Sequence, residues 1–293
     1  MSNRKPSLRK TLNDGHFVVA PGIPDLIAAT IANKVGFDFV FYSGYWSSAA
    51  IYGLPDAGLT TYSQMVERVR LLAQTSNASV IADADTGFGG LLNVHHTVQG
   101  YEEAGACAIQ LEDQEFPKKC GHTPYKRVIE QAEMVDKIGV ACEARHNPEE
   151  TIIIARTDAR APEGFDKAIE RGVAYGEAGA DIVFVEALES EEEMRQACAS
   201  ISQPMLANMA DGGKTPIRSA EALAEIGFQV ALFPAISSLS ASYAVEKALM
   251  HLKTAGTSVS PDIPMFDFQE FNELIGFPEV YRLEKKWGRI NES

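Results

Sequence analysis

The 293-residue chain has no CxxC pair, no apolar run near the ~20 residues of a membrane span, and no two histidines at zinc-ligand spacing. No GxGxxG follows its first strand-like run, and no P-loop spacing occurs anywhere in it. Its four cysteines (Cys107, Cys120, Cys142, Cys198) make no disulfide framework, and a chain of this length needs none to build a core. Positive charge is scarce. The 26 Lys and Arg stand against 40 Asp and Glu, and the net charge of −14 argues against nucleic acid or an anionic membrane surface as the main partner. The basic start MSNRKPSLRK is followed by no hydrophobic segment, so the chain is expected to be cytoplasmic with reduced thiols.

What is present is a rhythm. Short β-rich runs occur at 16–22, 38–44, 79–85, 107–113, 151–157, 181–187, 204–209 and 230–235. They are near-continuously apolar, as parallel strands buried on both faces must be. Helical patterns separate them, for example TYSQMVERVRLLAQT and FDKAIERGVAYGEAG. EAGACAIQLED and EAGADIVFVEA share one frame, two βα units apart. Eight strands with crossovers predict a (β/α)8 TIM-type barrel; a doubly wound open sheet is the alternative. Residues 1–255 are assigned to the barrel and 256–293 to a C-terminal helical extension of the same domain. Phe266, Phe268, Phe271, Leu274, Ile275 and Trp287 give that extension more apolar surface than a free tail should expose.

In a barrel the C-terminal strand ends carry the site. Here they read Tyr42-Ser43-Gly44, Asp83-Ala84-Asp85, Glu112-Asp113, Arg156-Thr157-Asp158, Glu186 and Asn208. Asp83 and Asp85, two apart on a strand, should share a face. With Glu112 and the loop residue Asp56 they form a hard-oxygen cluster suited to Mg2+, with Mn2+ a second choice. Arg156 at a buried strand end calls for an anionic partner, a substrate carboxylate or Glu186.

The segment FPKKCGH places Cys120 between two lysines and a Gly-His pair. Lys118, Lys119 and His122 are expected to lower the thiol pKa and to steer a carboxylate, and Gly121 suggests a mobile lid. A thiol near neutrality can pass a proton either way.

The motifs YSG (42–44), LPD (54–56), DADTGFG (83–89), QLEDQ (110–114), KKCGH (118–122), ARTDA (155–159) and LANM (206–209) resemble, in this order, those of the isocitrate lyase/phosphoenolpyruvate mutase superfamily. The resemblance runs over nearly the whole chain. It implies a barrel that exchanges its last helices between subunits of a homotetramer. It also implies Mg2+ held by Asp83 and Asp85, with Asp56 and Glu112 further out. Ser43, Gly44 and Arg156 would hold one end of a di- or tricarboxylate substrate, and Gly121, His122 and Asn208 the other. Cys120 would protonate the carbanion left by C–C cleavage; Tyr42 is the candidate base, and Arg156 and Glu186 complete the catalytic set.

Within that superfamily Cys120 disfavours the phosphonomutases. Thr123 stands where an arginine would read a third carboxylate, and Tyr45-Trp46 replaces a glycine-rich stretch. These departures favour a methyl-substituted 2-hydroxy dicarboxylate, of the 2,3-dimethylmalate kind, over 2-methylisocitrate. Pro234 lowers the case for an oxaloacetate hydrolase, and Cys120 that for a decarboxylase. A catalytically silent binding barrel is the reading from outside the enzymes.

Overall fold

The computed structural model describes residues 5–289. The strands are β1 (Val18–Pro21), β2 (Phe39–Tyr42), β3 (Ser79–Asp83), β4 (Ala106–Glu112), β5 (Ile152–Thr157), β6 (Ile182–Val185), β7 (Met205–Asn208) and β8 (Val230–Phe233). Helices α1 (Leu8–Asn13), α2 (Leu26–Val35), α3 (Gly44–Tyr52), α4 (Tyr62–Thr75), α5 (Leu91–Ala104), α6 (Gln131–Ala144) and α7 (Arg160–Glu163) come first. They are followed by α8 (Phe165–Glu177), α9 (Glu191–Ser200), α10 (Ala220–Ile226), α11 (Ile236–Ala255), α12 (Phe268–Leu274) and α13 (Phe277–Lys286).

All strand pairs are parallel, in the order β1-β8-β7-β6-β5-β4-β3-β2, so the sheet curls nearly into a closed barrel. The seam between β1 and β2 is thin. A single bridge joins Gly22 to Phe41, and the Ile23 N–H donates to the Phe41 carbonyl at 2.8 Å. Gly22 is required there, because a Cβ on it would lie 2.1 Å from the Pro234 carbonyl oxygen. This is a (β/α)8 barrel, as the rhythm of apolar runs predicts, and the doubly wound alternative falls away.

Strand alternation separates two apolar layers. Val18, Ala20, Phe39, Phe41, Ile81, Ile152, Ile154, Ile182, Phe184, Leu206, Val230 and Leu232 fill the barrel. Their neighbours in sequence, such as Val40, Tyr42, Val80, Ala82, Ile153 and Val183, face outward and pack with helix residues such as Met65, Val69, Val98 and Ile138. Helix starts are fixed locally. Thr61 and Gln64 form a reciprocal capping box on α4, and Asp25, Ser190 and Ser219 cap α2, α9 and α10. α1 plugs the barrel end opposite the strand C-termini, its Leu8 joining the interior layer.

α11 runs for 20 residues with only Ser238 buried, and Leu239, Tyr243, Leu249 and Met250 are exposed. α12 and α13 follow, with Phe268, Ile275, Tyr281 and Trp287 also exposed and Phe266 beneath Lys34 of α2. Residues 290–293 of the assigned extension, and 1–4 of the basic start, lie outside the described residues.

Leu8 is fully buried against the barrel interior. Leu8→Ala is expected to destabilise the protein by about 2–5 kcal/mol without touching the far rim. Urea unfolding would read the loss, and an unchanged midpoint would show that α1 is not a working plug.

Candidate active site

At the strand C-termini lies a cavity of about 320 Å³. Its lining includes Ser43, Asp56, Asp83, Gln110, Glu112, Cys120, Gly121, His122, Arg156, Glu186 and Asn208, so sequence-distant motifs meet in one space. Phe41, Phe184 and Leu232 rise from the interior layer to line it as well.

Three aspartates gather on one side. A Cβ placed on Gly44 would sit 3.0 Å from Asp83 Oδ2 and 3.3 Å from Asp85 Oδ1, which shows how closely these oxygens approach. Asp83 Oδ2 accepts the Gly44 N–H at 3.1 Å, and Asp83 Oδ1 accepts the Asp85 N–H at 3.1 Å. Asp85 lies beyond the end of β3 in a left-handed conformation (φ 49°), so a turn and not strand alternation brings it beside Asp83. Lys118 reaches in from the Cys120 segment, its Nζ 2.6 Å from Asp56 Oδ1 and 2.7 Å from Asp85 Oδ1. Burial still pushes Asp85 up to about 6 against the pull of Lys118, with Asp83 and Asp56 adding repulsion. Burial raises Glu112 well above the usual carboxylate range, and its Oε1 has no partner. Burial and mutual repulsion thus disfavour the ionised carboxylates here, a cost that a cation bound among them would relieve.

Among the described residues no three His, Cys, Asp or Glu side chains form a ready metal cage. Mg2+ takes few direct carboxylates and retains several waters, so it needs none. Crowded carboxylates, an orphaned glutamate oxygen and all-oxygen chemistry fit such a hydrated hard cation.

Arg156 faces this cluster. Its Nε donates to Asp158 Oδ2 at 2.8 Å and its Nη2 to Asp158 Oδ1 at 3.1 Å. Nη2 also lies 3.1 Å from Glu186 Oε2, and Nε 3.4 Å from Glu112 Oε2. The guanidinium rests on the Phe184 ring, 5.1 Å from its centroid. Glu186 is thus one of its partners, but Asp158, which the strand-end reading left without a role, holds it in bidentate fashion. Glu186 also accepts from Asn208 Nδ2 at 3.1 Å and sits 3.4 Å from His122 Nε2.

The Cys120 segment is packed down over this mouth, where the sequence suggests a mobile lid. The Gly121 backbone lies so near the rim that a Cβ would be 2.3 Å from Arg156 Nη2 and 2.6 Å from Glu186 Cγ. Gln114 grips Lys119 from both sides, donating to its carbonyl at 2.7 Å and accepting its N–H at 3.1 Å. The Lys214 N–H donates to His122 Nδ1 at 3.3 Å from the loop after β7. The expected lowering of the Cys120 pKa is overturned. Burial raises it, and the His122 N–H and Arg156 only partly offset that. Lys118 is turned into the aspartates and Lys119 is exposed, so sequence neighbours are not electrostatic neighbours.

Two further expectations are corrected. Tyr42 is on the outward face of β2, its hydroxyl donating to Met65 Sδ at 3.4 Å, outside the cavity lining. Burial raises its pKa far above the phenol range, which disqualifies it as the base. Gly44 spends its N–H on Asp83 and does not line the cavity, whereas Ser43 does. Gln110, the first residue of the QLEDQ run, is a cavity residue that the pattern of strand ends does not reveal. It is buried at the cavity wall with both amide atoms unpartnered.

A family model described as phosphoenolpyruvate phosphomutase matches residues 8–253. The chain is a member of the PEP mutase/isocitrate lyase superfamily. Among its superfamily relatives, 2,3-dimethylmalate lyase of Eubacterium barkeri is 42% identical over 285 residues, covering 97% of this chain and 98% of that protein. A 2-methylisocitrate lyase of Aeropyrum pernix is 40% identical over 289 residues, covering 98% and 92%. An oxaloacetate acetylhydrolase complex with 3,3-difluorooxalacetate superposes with a TM-score of 0.91 at 28% identity, covering 96% of each chain. A phosphonopyruvate hydrolase complex with oxalate and Mg2+ gives a TM-score of 0.85 at 29% identity, covering 96% of this chain and 97% of that one. Superfamily membership thus reaches nearly the full length, and the relatives include both carbon–carbon lyases and hydrolases.

Because burial dominates at Cys120, its thiol should ionise above free cysteine. The pH profile of Cys120 alkylation by iodoacetamide, followed by peptide mass spectrometry, is expected to have its midpoint above that of free cysteine run alongside. A midpoint at or below it would restore the lysine-activated reading.

Proposed function

We propose that the protein is a divalent-metal-dependent lyase that cleaves a 2-hydroxy dicarboxylate with methyl substituents to pyruvate and a second carboxylate. The observation that carries this reading is a neutral, partly buried thiol held at the mouth of a cavity whose wall pairs Arg156 with carboxylates. The 42% identity to a 2,3-dimethylmalate lyase over almost the whole chain supports it.

The aspartates Asp83 and Asp85, with Asp56 and Glu112 beside them, would hold Mg2+. When bound, the cation stabilises negative charge on the substrate's 2-oxygen. Arg156 and Ser43 orient the carboxylate next to that oxygen, the guanidinium being fixed by Asp158. Asp56, Asp83 and Glu112 are the carboxylates lining that side. Burial pushes Glu112 toward its protonated form, so the aspartates offer acceptors for the 2-hydroxyl proton now that Tyr42 faces away. As the C2–C3 bond breaks, its electron pair moves onto C3 and the carboxylate attached to it. The Gly121 N–H and Asn208 face that carboxylate. Cys120 then gives its proton to C3. A thiol that burial keeps protonated is suited to this step.

Tyr45 and Trp46, packed edge to face at 4.8 Å, line the cavity with Leu232, Pro234 and Leu239. This apolar wall suits methyl groups better than a third carboxylate. The structural likeness to an oxaloacetate acetylhydrolase favours a second reading, hydrolysis of a C4 2-oxo diacid.

The exposed apolar faces of α11 to α13 support a homotetramer with C-terminal helices shared between subunits. Nothing in the chain suggests a nucleic-acid partner, and no helix among the described residues is long and apolar enough to cross a membrane. A cytoplasmic location belongs to the same proposal.

Pyruvate release from 2,3-dimethylmalate and 2-methylisocitrate tests the activity, with Mg2+ and with chelator. Metal-dependent pyruvate from the former, falling by ~10²-fold or more in Cys120→Ser, is the expected result. Acetate and oxalate from oxaloacetate, with no pyruvate from either hydroxy acid, would replace the lyase reading by the hydrolase one. In light scattering the full chain is expected at four times its monomer mass, and a chain ending at Ala255 at a lower multiple. A monomeric full chain would remove the assembly proposal.

A further inference from the structure

Lys126 belongs to no step described so far, yet it is among the most enclosed cations in the molecule. Its side chain is 1% exposed, and its Nζ donates to Asp158 Oδ1 at 2.7 Å. The same ammonium donates to the backbone carbonyl of Gly121. Asp158 is fully buried. Burial alone would raise its pKa, but Arg156 and Lys126 together hold it well below the usual carboxylate range. One carboxylate therefore anchors two cations, Arg156 at the substrate site and Lys126 under the segment that bears Cys120.

The local backbone is bent to make this contact. Tyr125 takes a left-handed conformation (φ 62°) with its ring in solvent, and the next residue then points inward. A tyrosine has no intrinsic preference for that conformation. Within the turn, the Thr123 N–H and hydroxyl both donate to the Cys120 carbonyl, at 3.0 and 2.7 Å. Cys120 to Lys126 is thus a closed loop whose last residue reaches back beneath its own start. Gln114 and Lys214 also hold the segment, but neither touches Asp158.

We propose that Lys126 is a positioning residue for the Cys120 thiol: by joining the Gly121 carbonyl to Asp158, it registers the acid on the same carboxylate that aims Arg156. Its ammonium does not line the active-site cavity, so it acts through Gly121 and Asp158. Removing it leaves Asp158 with Arg156 as partner, so no buried charge is stranded. The kinetic side rests on the lyase reading, whereas the geometric side does not.

The test compares wild type with Lys126→Met and Lys126→Arg. The first readout is the rate of Cys120 alkylation by iodoacetamide, followed on the Cys120 peptide so that the other thiols do not count. Lys126→Met is expected to alkylate roughly tenfold faster as the segment lifts, with Lys126→Arg intermediate. The second readout is pyruvate formation, where kcat should fall by ~10²-fold with KM changed by less than about threefold. Alkylation within about twofold of wild type in Lys126→Met would overturn the proposal, whatever the activity. Should that variant not fold, Lys126→Gln, which leaves Asp158 paired with Arg156, carries the same readout with the same two outcomes. Faster alkylation with no pyruvate from any form, wild type included, would sink the lyase reading and keep the latch. Pyruvate with unchanged alkylation would do the reverse.

Discussion

The structure hangs on a carboxylate with no exposure to water. Asp158 follows β5 and is bonded bidentately by Arg156 and singly by Lys126. Burying three charges is costly, and such a group is sustained only when each member is fully paired. Asp113 secures the backbone of this arrangement from behind. Its Oδ1 accepts the Asp158 N–H at 2.8 Å, and its Oδ2 accepts the Thr157 hydroxyl at 2.7 Å and the Tyr175 hydroxyl at 2.8 Å. Arg171 adds bonds to the Ile129 carbonyl and to Glu163, so α7, α8 and the segment after the Cys120 loop are tied to the same strand end. A rigid floor of this kind lets a few side chains above it be held to fractions of an ångström.

The barrel was legible because a parallel strand buried on both faces leaves an unbroken apolar run, and all eight runs fall on strands. The same property hid the facing of individual residues. Tyr42 and Phe41 are both apolar and adjacent, and nothing in FVFY says which of them points into the barrel. Asp83, Glu112, Arg156, Glu186 and Asn208 could be read as rim residues because polar groups end these apolar runs. Lys126 could not, since its worth comes from a partner 32 positions away. Gln110 was disguised differently. It interrupts an apolar run without ending it, and only the cavity explains an amide there.

Proximity in sequence was a poor guide to electrostatics. KKCGH suggests a thiol bathed in positive charge, yet the backbone turns Lys118 one way and Cys120 another. Lys118 serves two aspartates, Lys119 points to solvent, and the cysteine is left partly buried between them. For the proton donor proposed above, this is the more useful environment. The net charge of −14 is compatible with an anionic substrate for a related reason. Arg156 lines the cavity beside the site's acids, and Lys118 pairs with two of them, Asp56 and Asp85.

The close approach of Gly121 to Arg156 and Glu186 has a bearing on turnover. The segment that bears Cys120, the proton donor proposed above, also stands at the cavity mouth. On the proposed mechanism, the placement that brings the acid to the substrate also narrows the way out for products, as in an airlock whose two doors share a hinge. An enzyme built this way cycles no faster than that segment can rise and settle, however easily the carbon–carbon bond breaks.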